Sequence, residues 1–134
     1  MIIYQKRIHR EDLQNNPNLM YLFGDNLDRT GLGGQAAEMR GEPNAIGVAT
    51  KKFPSMRPDS FFTDETYMEN VKVFLDDLMP AIQHIMEGGT LVIPFDGLGT
   101  GLSKLPESAP RSNKALVDLL SYLVDLDKRV NLES

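Results

Sequence analysis

Leu91-Val92-Ile93-Pro94-Phe95-Asp96-Gly97-Leu98-Gly99-Thr100-Gly101-Leu102-Ser103-Lys104-Leu105-Pro106 is the stretch on which the fold reading turns. Its apolar run is too short for a helix and is stopped by a glycine-spaced turn, with a Pro-started helix further on at Pro110. Glycines at 97, 99 and 101 permit backbone paths and close approaches that a Cβ would block. Consecutive N–H groups turned to one side form an anion-binding concavity, and open α/β sheets bind ligands beyond the carboxyl ends of their strands. Two readings stand: a phosphate cradle at the end of a central strand, or a glycine-rich connection with only structural work.

Working outward, strands alternate with helices. Ile2 to Ile8 reads as a strand near a sheet edge. Residues 10–18 allow a short helical turn before Pro17. Leu19 to Phe23 is a continuous apolar run, as in a strand covered on both faces. It opens into the polar, glycine-rich segment from Gly24 to Gly34, and Gln35 to Arg40 suits a short helix closed by Gly41. Ala45 to Ala49 is a second buried strand, and residues 53–63, with two prolines, form a loop placed to cover a site. Thr66 with Glu69 predicts a capping box. Val71, Phe74, Leu75, Leu78, Ile82, Ile85 and Met86 then mark one helix face, kinked at Pro80 and ended by Gly88-Gly89. The last helix turns Leu116, Leu119, Leu120 and Leu123 to the core, and Arg129 to Leu132 reads as a terminal strand. The pattern predicts one α/β domain over 1–134 with a mostly parallel sheet between helices.

Composition narrows the function classes. A chain of 134 residues, 41% of them hydrophobic, can bury a real core. With net charge −5 it lacks an extended nucleic-acid footprint. It has no cysteine, and its two histidines, His9 and His84, lie far apart, so no metal site and no cofactor are expected. No apolar run approaches the ~20 residues of a membrane span, and no basic-then-apolar leader opens the chain. The expectation is a cytoplasmic protein without a membrane partner.

Two common nucleotide motifs fail. The Walker loop needs Gly-Lys-Ser/Thr, but Lys104 follows Ser103. Gly31, Gly33 and Ala36 match the dinucleotide spacing, yet residues 24–31 separate them from the strand, where a tight turn is required. What remains is a pair of loops, 24–34 and 96–105, each after a buried strand, able to grip a diphosphate between them if both strands are central. The N-terminus of the Gln35 helix would add to the positive field.

Gly24-Asp25-Asn26, Gly31-Leu32-Gly33-Gly34-Gln35-Ala36 and Gly97-Leu98-Gly99-Thr100-Gly101-Leu102 together resemble the macrodomain pattern, over about residues 19–125. Thr50-Lys51-Lys52 through Pro58, with Gly99 through Pro106, is similar to the branch containing terminal ADP-ribose glycohydrolases and DNA-ADP-ribose-removing antitoxins. The resemblance implies a three-layer α/β/α fold with a mixed, mostly parallel sheet, holding ADP-ribose or an ADP-ribosylated macromolecule. It assigns Asn26, Gly31, Gly33, Gly34 and Gln35 to adenosine and distal ribose, and Gly97, Leu98, Gly99, Thr100, Gly101, Leu102 and Ser103 to the diphosphate.

The same resemblance makes Lys51, or Lys52 one register on, a nucleophile toward the anomeric carbon. Such an amine must be unprotonated; the alternative is two solvated lysines ending a strand. The branch's acid position matches Ser103, whose hydroxyl cannot replace a carboxyl as proton donor near neutral pH. Asp25 and Asp96 flank the site as substitutes. Alternatively, Asp25 is a turn residue and Asp96 a cap of the glycine turn. Phe53, Phe61, Phe62 and Phe95 are candidates for an adenine wall or for the core. Two functions follow: hydrolysis of ADP-ribosyl groups, or non-catalytic binding of ADP-ribose or a related NAD-derived nucleotide.

Overall fold

Four short apolar runs pair side by side in a sheet with strand order β1-β4-β2-β3, every neighbouring pair parallel. The computed structural model describes residues 1–133; Ser134, the end of the expected domain, lies outside them. The strands are β1 (Ile2–Gln5), β2 (Met20–Asn26), β3 (Ala45–Lys51) and β4 (Leu91–Pro94). The helices are α1 (Arg10–Asn15), α2 (Ala36–Met39), α3 (Tyr67–Met86), α4 (Leu105–Ser108) and α5 (Pro110–Glu133), with single 3-10 turns at Pro58–Ser60 and Asp64–Thr66. The antiparallel element that a mixed sheet would need is reduced to one isolated bridge, Lys51 to Phe61.

Alternation along the strands divides the core between the two faces of the sheet. Leu22, Ile46, Val48, Leu91 and Ile93 point to one face, under α3 and α5 with Phe74, Leu78, Ile85, Leu116 and Leu123. Tyr21, Phe23 and Val92 point to the other, under α1 and α2 with Leu13, Ala36 and Met39. Helices on both faces of a parallel sheet make this a three-layer α/β/α fold. They also explain why β2 and β4 read as unbroken apolar runs rather than alternating ones. The inner strands are β2 and β4, and β1 is at an edge, as its mixed composition predicts.

Several local expectations need correction. Arg129 to Leu132 is not a strand but the end of α5, whose apolar spacing continues through Leu126 and Val130 against the core. The Thr66–Glu69 capping box does not form: the Thr66 hydroxyl bonds Thr63 O and Asn70 Oδ1 and caps no N–H of α3. The cap that does form is long-range. Asp64 accepts from Arg111 N–H, Ser112 N–H and the Ser112 hydroxyl at the start of α5. Burial alone would raise the Asp64 carboxyl; those hydrogen bonds and the Arg111 charge outweigh it and hold it below its ordinary value. As the periodicity predicts, α3 is one helix that contains Pro80, with Asp76 and Pro80 both exposed, so the carbonyl that loses its donor faces solvent. Leu75 and Met86, expected inside, are exposed, while Asn70 and Ala81 take buried positions on that helix.

Candidate functional site

The site begins where the two inner strands part. β2 and β4 pair only at Met20–Leu91 and Tyr21–Val92. Beyond that, the chain leaving β2 turns toward α2 on one face and the chain leaving β4 toward α4 and α5 on the other. A crevice opens between two parallel strands whose connections diverge in this way. Its volume is about 300 Å³, at the lower end of the ~300–1,000 Å³ range of small-molecule sites.

Both glycine loops line it, and it gathers all the expected site residues except two. Lys51, Asp25 and Asp96 are there, as are Asn26, Gly31, Gly33, Gly34 and Gln35 from the first loop. Gly99, Thr100, Gly101, Leu102 and Ser103 come from the second. Leu98 is not a lining residue: its side chain is buried in the core beneath the loop. Gly97 is not one either; its carbonyl is turned to Gln35. Of the four phenylalanines considered as an adenine wall, none lines the crevice. Phe62 is core and Phe95 is exposed, and the apolar lining is Leu32, Pro54, Ala36 and Leu102.

Backbone donors dominate the polar character. Among the described residues, no protein acceptor takes the N–H of Leu98, Gly99, Thr100, Gly101, Leu102 or Ser103. The same holds for Thr30 through Gln35 in the first loop. The second loop is held from beneath instead, by Gly97 N–H to Pro94 O, Lys104 N–H to Gly101 O and Leu105 N–H to Gly99 O. Thr30 to Gly34 and Thr100 to Leu102 are exposed, so most of these N–H groups are open to solvent and equally open to an acceptor-rich ligand. α2 is a single turn, so a helix macrodipole adds little here, while Arg40 and Lys51 bring positive charge to the lining.

Charged side chains stiffen the frame. Asp25, 7% exposed, forms an ion pair with Arg40 at 2.5 Å and lies 3.6 Å from Arg29. Arg40 also bonds Gly31 O and Thr30 O, so it clamps the first loop to the end of β2. Arg29, in left-handed backbone with φ 56°, is held by a two-pronged bond to Asp77 of α3. The two guanidinium groups hold the Asp25 carboxylate in place as part of the frame. Asp96, by contrast, is exposed, lines the crevice and has no ion pair among the described residues. The turn beside it is capped by Thr100, whose hydroxyl donates to Asp96 O.

Lys51 is 6% exposed at the end of β3. Its ammonium donates to Ser55 O at 2.9 Å and lies 5.3 Å from the Phe61 ring centroid, with no carboxylate partner among the described residues. Burial lowers its pKa below the ordinary lysine value. Lys52, the alternative, does not line the crevice. The 53–63 segment does approach the site: Pro54 lines it and packs so close to Gly31 that a Cβ there would lie 2.9 Å from Pro54 Cβ.

Ser103 Oγ accepts from the fully buried Thr50 hydroxyl at 2.7 Å, which sets its place in the loop. Asn26 donates Nδ2–H to Thr30 O, while its buried Oδ1 has no hydrogen-bond partner. Such an atom is costly to leave unmatched. From the sequence Arg40 has no assigned role; Thr50 and Pro54 enter only within the Thr50-Lys51-Lys52 motif and the 53–63 loop. The only signal for Arg40 was an arginine one turn beyond a glycine loop that contains a buried carboxylate.

A family profile matches residues 3–119. The chain belongs to DUF7831, a family of unknown function. The match to DUF7831 takes in β1 from Ile3, the whole of β2, β3 and β4, both glycine loops and every residue that lines the crevice. No curated protein and no solved structure matches the chain. Among the described residues, no helix is long and apolar enough to cross a membrane, and no cluster of three or more His, Asp or Glu side chains is placed to hold a metal ion.

Proposed function

We propose that the crevice binds ADP-ribose or an ADP-ribosyl group, its diphosphate lying between the two glycine loops, as the macrodomain resemblance implies. The observation that carries this reading is the facing pair of loops with unpartnered N–H groups, Thr30 to Gln35 and Leu98 to Ser103. A diphosphate offers acceptor oxygens and negative charge to both at once. Asn26 Oδ1, buried without a donor, suits a ribose hydroxyl.

The direct test is thermal stabilisation by free ADP-ribose, with Gly101→Glu as the blocking variant. Nothing lies within 4 Å of a Cβ built at Gly101, and its φ is not positive, so the side chain fits without strain. It also places a carboxylate among the phosphate-facing amides. Ligand that binds only the folded state adds about 2.7 kcal/mol at a hundredfold excess over Kd. A clear rise in Tm for the wild type and none for Gly101→Glu supports the reading. No rise in either with ADP-ribose, AMP or NAD defeats it.

A second reading, hydrolysis of the ribosyl link, is favoured by Lys51 alone. The residue lines the crevice, has no carboxylate partner among the described residues, and burial favours its neutral, nucleophilic form. Asp96 is the crevice-lining carboxylate left outside an ion pair among the described residues, since Asp25 is held by Arg40 and Arg29. Release of ADP-ribose from an ADP-ribosylated substrate, lost in Lys51→Ala while binding persists, is the result this reading expects. Binding without turnover in the wild type leaves a non-catalytic ADP-ribose module.

A further inference from the structure

Gln35 spends both ends of its side-chain amide on backbone. Its Oε1 accepts from Gly24 N–H at 2.6 Å, and its Nε2 donates to Gly97 O at 3.2 Å. Gly24 lies in β2 beyond that strand's last pairing with β4, and Gly97 lies in the loop that leaves β4. The amide therefore spans the gap where the two inner strands separate. Among the described residues, no other side chain between 24 and 40 bonds the 94–105 segment.

The chemistry of the bridge is specific. Gly24 offers a donor and Gly97 an acceptor, and a planar carboxamide carries the complementary acceptor and donor on one carbon. Both bonds also fix which way the amide is turned. An apolar side chain of the same length supplies neither bond. A carboxylate supplies the acceptor but sets a negative oxygen against the Gly97 carbonyl.

We propose that Gln35 is a positioning residue: its amide sets the spacing between the two glycine loops and so the fit of the diphosphate. The inference rests on the ADP-ribosyl reading of the crevice and replaces a direct ligand contact for Gln35 with a contact made through the loops. Two hydrogen bonds of ordinary net strength correspond to about tenfold or more in affinity when the loops must be held apart by other means.

The experiment is a calorimetric titration of ADP-ribose into wild type, Gln35→Met and Gln35→Glu at about pH 8 and about pH 5, with amide exchange measured on the ligand-free proteins. Gln35→Met should bind about tenfold more weakly at both pH values. Gln35→Glu should be at least as weak near pH 8 and gain affinity relative to Gln35→Met near pH 5, because the protonated fraction, set by an unperturbed pKa near 4.3 that the Gly97 carbonyl raises and the Gly24 N–H lowers, regains a donor for Gly97 O. Asp25, Arg40, Lys51 and Asp96 are the other titratable groups on the crevice, and the wild-type profile accounts for them. Without ligand, both variants should exchange the hydrogen-bonded amides of Gly24, Gly97, Lys104 and Leu105 faster than wild type near pH 8, and only Gln35→Glu should move back toward wild type near pH 5.

Wild-type affinity in Gln35→Met overturns the proposal, and would assign any weakness of Gln35→Glu to its charge alone. Unchanged exchange in Gln35→Met overturns it as well. If wild type takes no ADP-ribose, the ligand reading falls, and the ligand-free exchange still decides whether the amide spaces the loops.

Discussion

Two glycines of the second loop, only two positions apart, should respond very unequally to one added methyl group. Gly99 has φ +77°, and a Cβ there would lie 3.0 Å from Leu105 Cβ and 3.2 Å from both Leu105 Cδ2 and Thr50 Cβ. Two of those three atoms are Cβ atoms fixed to backbone, so they cannot swing away. Left-handed backbone costs a residue with a Cβ about 1–2 kcal/mol, and overpacking a filled site adds about 1–3 kcal/mol. Gly99→Ala should therefore lose about 2–5 kcal/mol. At about 4 °C per kcal/mol for a chain of this size, its Tm should fall by about 8–20 °C. Gly101 has no atom within 4 Å of a built Cβ and no positive φ, so Gly101→Ala should stay within about 0.5 kcal/mol of wild type. Urea and thermal unfolding of the two variants, with no ligand present, measure the contrast. Equal losses, or a larger one at Gly101, would refute the assignment of Gly99 to the loop's support and Gly101 to its open face.

Removing Arg40 should expose the cost of its buried partner. Arg40→Met leaves Asp25 with Arg29 alone, and a loss of about 3 kcal/mol is expected, near the low end for breaking a buried pair; a urea midpoint equal to wild type would show that the pair is not a clamp. Asp64→Ala removes the cap of α5 and should cost about 1 kcal/mol near neutral pH. Because the folded Asp64 carboxyl is held below its unfolded value, near 3.9, its contribution is present above that pH and fades as pH falls through the folded pKa. Unfolding curves of Asp64→Ala and wild type should thus converge in acid, and a gap that stays constant would contradict the capping role. Lys51 works in the same sense, in an alkaline window. Its folded pKa is lowered, so the unfolded chain binds more protons and stability rises as pH climbs toward the unfolded value near 10.4. Lys51→Met should lack that rise, and parallel profiles for the two proteins would count against a desolvated ammonium.

The sequence alone determined the α/β class, the four strands and the helices α1, α2, α3 and α5 in their order, and the two loops that line the crevice. Those features follow from short-range rules. A run such as Leu19 to Phe23 is too short for a helix and too apolar for an exposed edge, and glycine clusters stop strands wherever they stand. Neighbouring residues carry such information whatever the rest of the chain does. Only the tertiary structure decided the partners: Asp25 with Arg40, Arg29 with Asp77, Gln35 between Gly24 and Gly97, and Asp64 on a helix start far along the chain. It also decided that Leu98 supports its loop from the core, and that residues 129–132 extend α5. Each of these outcomes depends on which strands lie side by side and on which face each connection crosses. A polar side chain's partner is chosen by proximity in the folded state, and spacing along the chain does not encode it.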